Sequence, residues 1–236
     1  MRIALKIAYN GVKFFGSQIQ NQTQPTVMGT LQHALQHLGI DTKIVASGRT
    51  DKGVHATAQI CHIDLPPYWN DLVKLHDRLD MILPSSIEVK KIWRVDTTFH
   101  ARYSAKKRTY RYLITTQKPN PFYADFISYI PNADFLALQK KIQLFEGEHD
   151  FCNFIKTGSD EKSTIRIIYR AFAYKYHDII VLHFEANGFL RTQIRFMVAA
   201  LLELDKEQLE AKLKNTKSIA LKPAPPNGLY LAKISY

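Results

Sequence analysis

Short apolar strands and amphipathic helices follow one another in the same order in both halves of this chain. In the first half, the apolar spacing predicts strands near 2–8, 42–47, 57–65 and 86–95, and helices near 27–38 and 69–82. In the second half, it predicts strands near 107–115, 165–176, 179–186 and 229–235, and helices near 132–146, 189–203 and just after Asp205. Each half therefore has the order β-α-β-β-α-β, which is the ferredoxin-like order also used by RRM-like RNA-binding sheets.

This order predicts an α+β fold built from two ferredoxin-like halves. Two such halves side by side would form one broad antiparallel sheet, with helices on one face and a central RNA-binding cleft on the other. We expect residues 1–96 to form the N-terminal half and residues 97–236 the C-terminal half, although the two halves show no convincing sequence identity.

The charge balance favours a polyanionic partner. The chain has 32 Lys and Arg against 21 Asp and Glu, which gives a formal net charge of +11 at pH 7. Residues 97–124 contain no acidic residue but six basic ones: Arg102, Lys106, Lys107, Arg108, Arg111 and Lys118. Such a stretch is typical of a nucleic-acid-binding surface, although a basic face that binds only water has the same composition.

Other features of the sequence predict a soluble, cytoplasmic protein that does not bind a membrane. No apolar run approaches the length of a transmembrane helix, and the N-terminus lacks the apolar core of a signal peptide. The two cysteines, Cys61 and Cys152, are far apart and form no CxxC pair, which argues against a disulfide framework.

One loop concentrates the residues that could carry chemistry. Residues 46–56 read ASGRTDKGVHA, in which Gly48 and Gly53 allow a tight backbone path. Asp51 stands among basic side chains, so we expect it to be ionised at neutral pH and able to attack an electron-poor carbon. The same residues are compatible with an Asp–Arg pair that only holds the loop in place.

No motif for a cofactor or a metal accompanies this loop. The chain has no phosphate-binding GxxxxGKS or GxxxxGKT, no dinucleotide-binding GxGxxG and no PCxxC of a zinc deaminase. His55, Cys61 and His62 lie close in sequence, but their spacing matches no ordinary zinc site. We therefore predict no metal and no cofactor, and the sequence disfavours a metal-dependent nuclease or deaminase.

The loop and five further segments resemble the TruA-type tRNA pseudouridine synthases. Arg49–Ala56 (RTDKGVHA) is similar to the RTDxGVHA signature that contains the catalytic aspartate of this family. The other segments follow in family order: Tyr9–Val27 at the N-terminus, Phe99–Tyr112 (FHARYSAKKRTYRY), Gly147–Phe154, Asn187–Arg195 and Gly228–Leu231 (GLYL). The resemblance therefore covers nearly the whole chain.

The chain departs from the family pattern in a few places. The family usually has Asp where Asn10 stands, and an aromatic residue, often Trp, where Ser17 stands. It commonly has a glycine where residues 198–200 read VAA, and the stretch 203–227 is short. None of these departures touches Asp51.

The resemblance implies that the protein isomerises uridine to pseudouridine in the anticodon stem-loop of tRNA, at positions 38, 39 and 40, without a cofactor. It implies that Asp51 is the nucleophile, attacking either the sugar C1′ or the base. Arg49 would pair with Asp51 and fill the space that the flipped uridine leaves, and Arg195 would face the carboxylate. Tyr110 would stack on the target uracil and Leu229 would pack against it. The family also implies a homodimer in which one tRNA contacts both subunits.

Contacts with RNA are predicted in three segments: the 99–103 segment, the 106–111 strand and a polar loop at 156–166 that we expect to become ordered on tRNA. A solvated loop without a function would have the same composition at 156–166. The predicted RNA-binding residues are Phe99, His100, Ala101, Arg102, Tyr103, Lys106, Lys107, Arg108, Arg111, Lys162, Ser163 and Arg166. A non-catalytic RNA-binding or chaperone protein would explain the charge and the repeat equally well. It would give no reason, however, for a carboxylate inside a basic loop.

Overall fold

The structure is a computed structural model, and it describes residues 1–20, 24–156, 158 and 161–236. Within these residues the chain has a mixed α+β fold with ten strands and five α-helices. The chain forms two compact units, of which the first contains Met1–Lys106 and Leu231–Tyr236 and the second contains Lys107–Tyr230. The division of the chain at residue 96 stays a prediction.

The first unit contains four complete strands, two helices and most of the last strand of the chain. The strands are β1 (Arg2–Tyr9), β2 (Val45–Ala46), β3 (His55–Asp64) and β4 (Ile87–Arg94), and the helices are α1 (Val27–His37) and α2 (Leu72–Ile82). The strands pair antiparallel in the order β4-β1-β3-β2. The second strand is shorter than the predicted 42–47, since only Val45 and Ala46 pair, with His62 and Cys61.

Local hydrogen bonds set the ends of these two helices. Thr26 caps α1 by accepting a hydrogen bond from the Gly29 N–H at 3.2 Å. Asp71 caps α2 by accepting from the Val73 and Lys74 N–H groups at 3.0 Å, so this helix begins at Leu72 and not at the predicted residue 69. Both helices bury one apolar stripe, and the buried residues of the first unit include Leu5, Ile7, Leu31, Leu35, Leu75 and Leu79.

The second unit contains five complete strands and three helices. The strands are β5 (Lys107–Thr115), β6 (Ser128–Tyr129), β7 (Gly147–Asp150), β8 (Ile165–Tyr176) and β9 (Ile179–Ala186), and the helices are α3 (Phe135–Ile142), α4 (Gln193–Glu203) and α5 (Lys206–Leu213). The strand order is β5-β9-β8-β7 with antiparallel pairing, and β6 pairs with β5 in parallel. The last strand, β10 (Leu229–Ser235), belongs mainly to the first unit. The prediction omitted β6 and β7.

The helix predicted at 189–203 begins four residues later than expected. Thr192 has a φ of 65°, in the left-handed region, and this conformation ends the preceding turn before α4 starts at Gln193. Arg191 therefore lies outside the helix, although a helix over 189–203 would have placed it one turn before Arg195.

No helix in the described parts of the chain combines the length and the apolar character that crossing a membrane requires.

Candidate active site

Asp51 lies in the first unit, in the loop of residues 47–54 that connects β2 to β3. The start of this loop is attached to β3 by the side chain of Gln59, which is fully buried. The Ser47 hydroxyl donates to Gln59 Oε1, and Gln59 Nε2 donates to the Gly48 carbonyl at 2.8 Å. The Ser47 N–H donates to the Ile60 carbonyl at 2.8 Å. These bonds hold the loop against the strand that follows it.

The residue before Asp51 is held by two other segments of the same unit. The Thr50 N–H donates to Ser17 Oγ at 2.8 Å, and the Ser17 N–H donates to the Thr50 carbonyl at 3.1 Å. The hydroxyls of Thr50 and Tyr9, the last residue of β1, are 2.8 Å apart. Since all three residues are buried, these hydrogen bonds are protected from competition with water.

The end of the loop packs closely on the turn that follows β1. A Cβ atom on Gly11 would lie 1.9 Å from the Val54 carbonyl oxygen, so only glycine fits there. The Gly53 N–H donates to the Gly11 carbonyl at 3.2 Å, and Gly53 has a φ of 82°, which favours glycine. The Gly11 N–H donates to Nδ1 of the buried His55 at 3.1 Å.

Asp51 itself is partly exposed, between the buried Thr50 and the buried Gly53. Its carbonyl accepts a hydrogen bond from the Val54 N–H at 3.1 Å. Arg49 and Lys52 are exposed, and Lys52 Nζ lies 3.7 Å from the centre of the Phe15 ring. A carboxylate that is accessible on a firmly held loop is suited to nucleophilic attack on a bound substrate.

The predicted substrate-binding residues and Arg195 lie in the second unit. Tyr110 on β5 is 7% exposed, and its ring meets the ring of Phe189 edge to face with 5.3 Å between centroids. Leu229, at the start of β10, is 6% exposed. In α4, Arg195 Nε donates to the Ala224 carbonyl at 2.6 Å, and the Ala224 N–H donates to the Arg195 carbonyl at 3.0 Å. Arg195 therefore holds the segment that leads into Leu229.

The segment from Phe99 to Tyr103 forms a tight turn in the first unit. His100 Nδ1 accepts hydrogen bonds from the N–H groups of Arg102 and Tyr103 at 3.2 and 3.1 Å. The rings of His100 and Tyr103 stack with 4.4 Å between centroids, and Tyr103 is 76% exposed. Ala101 is fully buried, its N–H donates to His62 Nδ1 at 3.1 Å, and its carbonyl accepts from the Tyr236 hydroxyl. The turn thus presents an aromatic face to solvent.

The remaining predicted RNA-binding residues are basic or polar groups at or near the surface. Lys106, Lys107, Arg111, Lys162 and Ser163 are exposed. Lys107 pairs with Glu185 at 3.1 Å. Arg108 and Arg166 are half-buried: Arg108 donates to the Asn187 carbonyl at 3.0 Å, and Arg166 donates to the Ser163 and Ile165 carbonyls. Within the loop predicted at 156–166, Thr157, Ser159 and Asp160 lie outside the described residues.

The two histidines and the buried cysteine on β3 make hydrogen bonds within the protein. His55 and His62 each use Nδ1 to accept a backbone hydrogen bond. Burial raises the pKa of the Cys61 thiol to about 12, so this group stays protonated at neutral pH. Across residues 1–20, 24–156, 158 and 161–236, no group of three or more His, Cys, Asp or Glu side chains could hold a metal ion.

The sequence alone did not identify the residues that support the Asp51 loop. Tyr9, Ser17 and Gln59 act from positions that are 42, 34 and 8 residues away from Asp51 along the chain. A polar residue next to apolar neighbours, as Gln59 is between Ala58 and Ile60, is a weak signal for such a role. The partners themselves depend on strand pairing and could not have been read from the residue pattern.

Comparison with known proteins identifies the family. A family model described as tRNA pseudouridine synthase matches residues 6–104 and 142–236. A tRNA pseudouridine synthase A from Wolinella succinogenes is 39% identical and aligns with 98% of this chain and 92% of its own length. Proteins of the same name from Campylobacter jejuni strain RM1221 and Thermosipho africanus are 37% and 36% identical, over 100% of this chain and 100% and 99% of their own lengths. These matches confirm the resemblance carried by the sequence motifs, and the chain belongs to the tRNA pseudouridine synthase family.

Proposed function

We propose that this protein isomerises uridine to pseudouridine in the anticodon stem-loop of tRNA, at positions 38, 39 and 40, with Asp51 as the nucleophile. The observation that carries the proposal is the loop of residues 47–54: its ends are tied to β3 and to the turn after β1, and its carboxylate remains accessible. In the reaction, the bond between C1′ and N1 breaks and a bond between C1′ and C5 forms. The C5 hydrogen leaves as a proton, and N1 gains one. The atoms balance without an oxidant, a reductant or another co-substrate.

The other site residues would bind and orient the flipped nucleotide. Tyr110, with its ring already fixed edge to face by Phe189, would stack on the uracil, and Leu229 would pack against the base. Arg49 is exposed and near Asp51 in sequence, so it could occupy the space that the base leaves in the RNA stem. Arg195 would bring a positive charge toward the Asp51 carboxylate.

The fold would place these groups around one RNA-binding cleft. We propose that each half is ferredoxin-like and that the two halves join in one broad sheet with helices on one face. The strand order β4-β1-β3-β2 in the first unit supports this for the N-terminal half. The catalytic loop would then stand at the edge of the cleft.

The RNA would be held by the turn at 99–103 and by the basic strand β5 with its neighbours. Tyr103 offers an exposed ring, stacked on His100 and 5.6 Å from the Arg102 guanidinium, which suits an unpaired base and a nearby phosphate. Phe99 and Ala101 would support this turn from inside. Lys106, Lys107, Arg108 and Arg111 would bind phosphates, as would Lys162, Ser163 and Arg166 from the loop before β8. By family, we further propose a cytoplasmic homodimer with one tRNA contacting both subunits.

The proposal is tested by incubating the purified protein with an unmodified tRNA transcript and mapping pseudouridine at each position. We expect conversion at positions 38–40 wherever uridine is present, and equal conversion in excess chelator. A matched transcript with cytidine at those positions should remain unmodified. Conversion only at sites outside the anticodon stem-loop would contradict the proposed substrate region. Tight tRNA binding without any conversion would favour a non-catalytic RNA-binding protein.

A further inference from the structure

Ser17 is a buried polar residue that the proposed reaction does not use directly. It lies between the turn after β1 and helix α1, and it is 1% exposed. Its hydroxyl oxygen accepts the Thr50 N–H at 2.8 Å and lies 3.5 Å from the Thr50 carbonyl, and its own N–H donates to that carbonyl at 3.1 Å. One residue therefore binds both polar groups of the Thr50 backbone.

The Thr50 carbonyl belongs to the peptide group whose nitrogen is that of Asp51. Because a peptide group is planar, holding its carbonyl fixes the plane and leaves the Asp51 Cα little freedom to move. The Tyr9 hydroxyl holds the Thr50 side chain at 2.8 Å, and the Val54 N–H holds the carbonyl on the other side of Asp51 at 3.1 Å. The direction in which the carboxylate leaves the backbone is thus set by contacts on both sides.

The backbone conformation of the residue before Ser17 allows Ser17 to approach Thr50 closely. Gly16 has a φ of 96°, in the left-handed region, and a Cβ atom at this position would lie 3.2 Å from the Thr50 carbonyl oxygen. On the other side of Ser17, helix α1 is attached to the same segment, since the Val27 N–H donates to the Gly16 carbonyl and the Met28 N–H to the Ser17 carbonyl. The hydroxyl is therefore presented by a segment that is itself fixed.

We propose that Ser17 is a positioning residue for catalysis, which acts through the Thr50 backbone to hold the Asp51 carboxylate in its reactive direction. This inference rests on the proposed function, in which Asp51 is the nucleophile. In Ser17→Ala, the Thr50 N–H loses its acceptor at a site that water does not reach, while the backbone bond from residue 17 to the Thr50 carbonyl remains. The Arg49–Thr50 peptide can then turn about this remaining bond and move the Asp51 backbone with it. A misplacement of a reacting group by about 1 Å can cost roughly a hundredfold in rate.

The test compares Ser17→Ala with Asp71→Ala, which removes the exposed cap of α2 in the same unit and does not touch the loop. Thermal unfolding is measured first, because both variants lose hydrogen bonds that stabilise the folded unit. Pseudouridine formation and tRNA affinity are then measured for both. We expect kcat to fall about tenfold to a hundredfold in Ser17→Ala, with KM and tRNA affinity within about twofold of wild type. Asp71→Ala should lose stability and keep its kcat.

Several outcomes separate this inference from the proposed function. If the wild type makes no pseudouridine, the proposed function fails and the inference falls with it. If the wild type is active and folded Ser17→Ala keeps its kcat, or loses only tRNA affinity, the positioning role is wrong while the function stands. If Ser17→Ala does not fold, Ser17→Cys decides: the thiol has nearly the same shape but is a weak acceptor, so an unchanged kcat would overturn the proposal.

Discussion

At the scale of single residues, close packing around the Asp51 loop restricts which side chains fit beside it. Gly11 shows this best: a Cβ atom there would lie 1.9 Å from the Val54 carbonyl oxygen and 2.4 Å from its carbon. The neighbours are backbone atoms, so no side-chain rotation can relieve the overlap. The turn after β1 and the end of the loop must therefore separate in any variant with a larger residue.

We predict that Gly11→Ala lowers the free energy of unfolding by about 1–3 kcal/mol, in the range of overpacked sites, and strongly reduces turnover. Both effects arise because the Gly53–Gly11 and Gly11–His55 hydrogen bonds would be lost. Urea unfolding and a pseudouridine assay measure the two quantities. Gly158→Ala is a useful comparison, since a Cβ atom at Gly158 meets nothing within 4 Å, although its φ of 77° adds some strain. Equal stability of Gly11→Ala and wild type would show that the packing argument is wrong.

At this scale, the sequence predicted Asp51 as the nucleophile but did not predict the residues that hold its loop in place. The motif around Asp51 and five further segments in family order predicted the family, whereas Ser17 entered the sequence analysis only as a departure from the family pattern. Its partner is 33 residues away along the chain, and only the folded segment brings the two backbones together. Its contribution could not be predicted without the tertiary structure.

At the scale of elements, the sequence predicted most helices and long strands, and it failed where backbone geometry overrides apolar spacing. Phe189 and Leu190 continue the apolar pattern of α4, but the left-handed conformation of Thr192 separates them from the helix. The two-residue strand β6 carries too short a pattern to be recognised, and β2 was predicted at 42–47, longer than its two paired residues. Strand pairing joins residues that are far apart along the chain, so the order β5-β9-β8-β7 could not be predicted from the order of the elements in the sequence.

The contact between His62 of β3 and the turn at 99–103 predicts a dependence of stability on pH. Burial, followed by the positive charges of Arg2 and His100, holds the pKa of His62 below its ordinary value of 6.5. Acidification therefore protonates this histidine in the unfolded chain before it does so in the folded protein. Stability should fall as the pH drops below about 6.5, until the lower pKa of the folded state is reached.

This prediction is checked by urea unfolding at about pH 7.5 and about pH 5.5. In His62→Asn, an amide oxygen can accept the Ala101 N–H without titrating, so the loss of stability in acid should be smaller than in wild type. Some loss should remain, because burial also lowers the pKa of His183 in the second unit. An identical acid loss in His62→Asn and wild type would exclude His62 as its source.

At the scale of the whole molecule, the net charge of +11 should dominate the affinity for tRNA. Each phosphate contact releases bound cations from the RNA, so we predict that the dissociation constant rises at least tenfold between about 50 and about 200 mM salt. Filter binding at several salt concentrations measures the slope of the logarithm of the dissociation constant against the logarithm of salt concentration.

Tyr103→Ala should weaken tRNA binding at every salt concentration without changing this slope, because stacking of a base on the ring involves no ion release. Arg111→Ala should make the slope shallower, because the variant loses one proposed phosphate contact, and an unchanged slope would contradict that contact.

The measurement that tests the central claim most directly is pseudouridine formation by Asp51→Asn beside wild type, on the same unmodified tRNA transcript. Asparagine keeps nearly the same shape, so the loop contacts of Thr50 and Val54 and the affinity for tRNA should be preserved. The account predicts that wild type converts uridines in the anticodon stem-loop, and that folded, tRNA-binding Asp51→Asn converts none. Turnover by Asp51→Asn near the wild-type rate would contradict the assignment of Asp51 as the nucleophile.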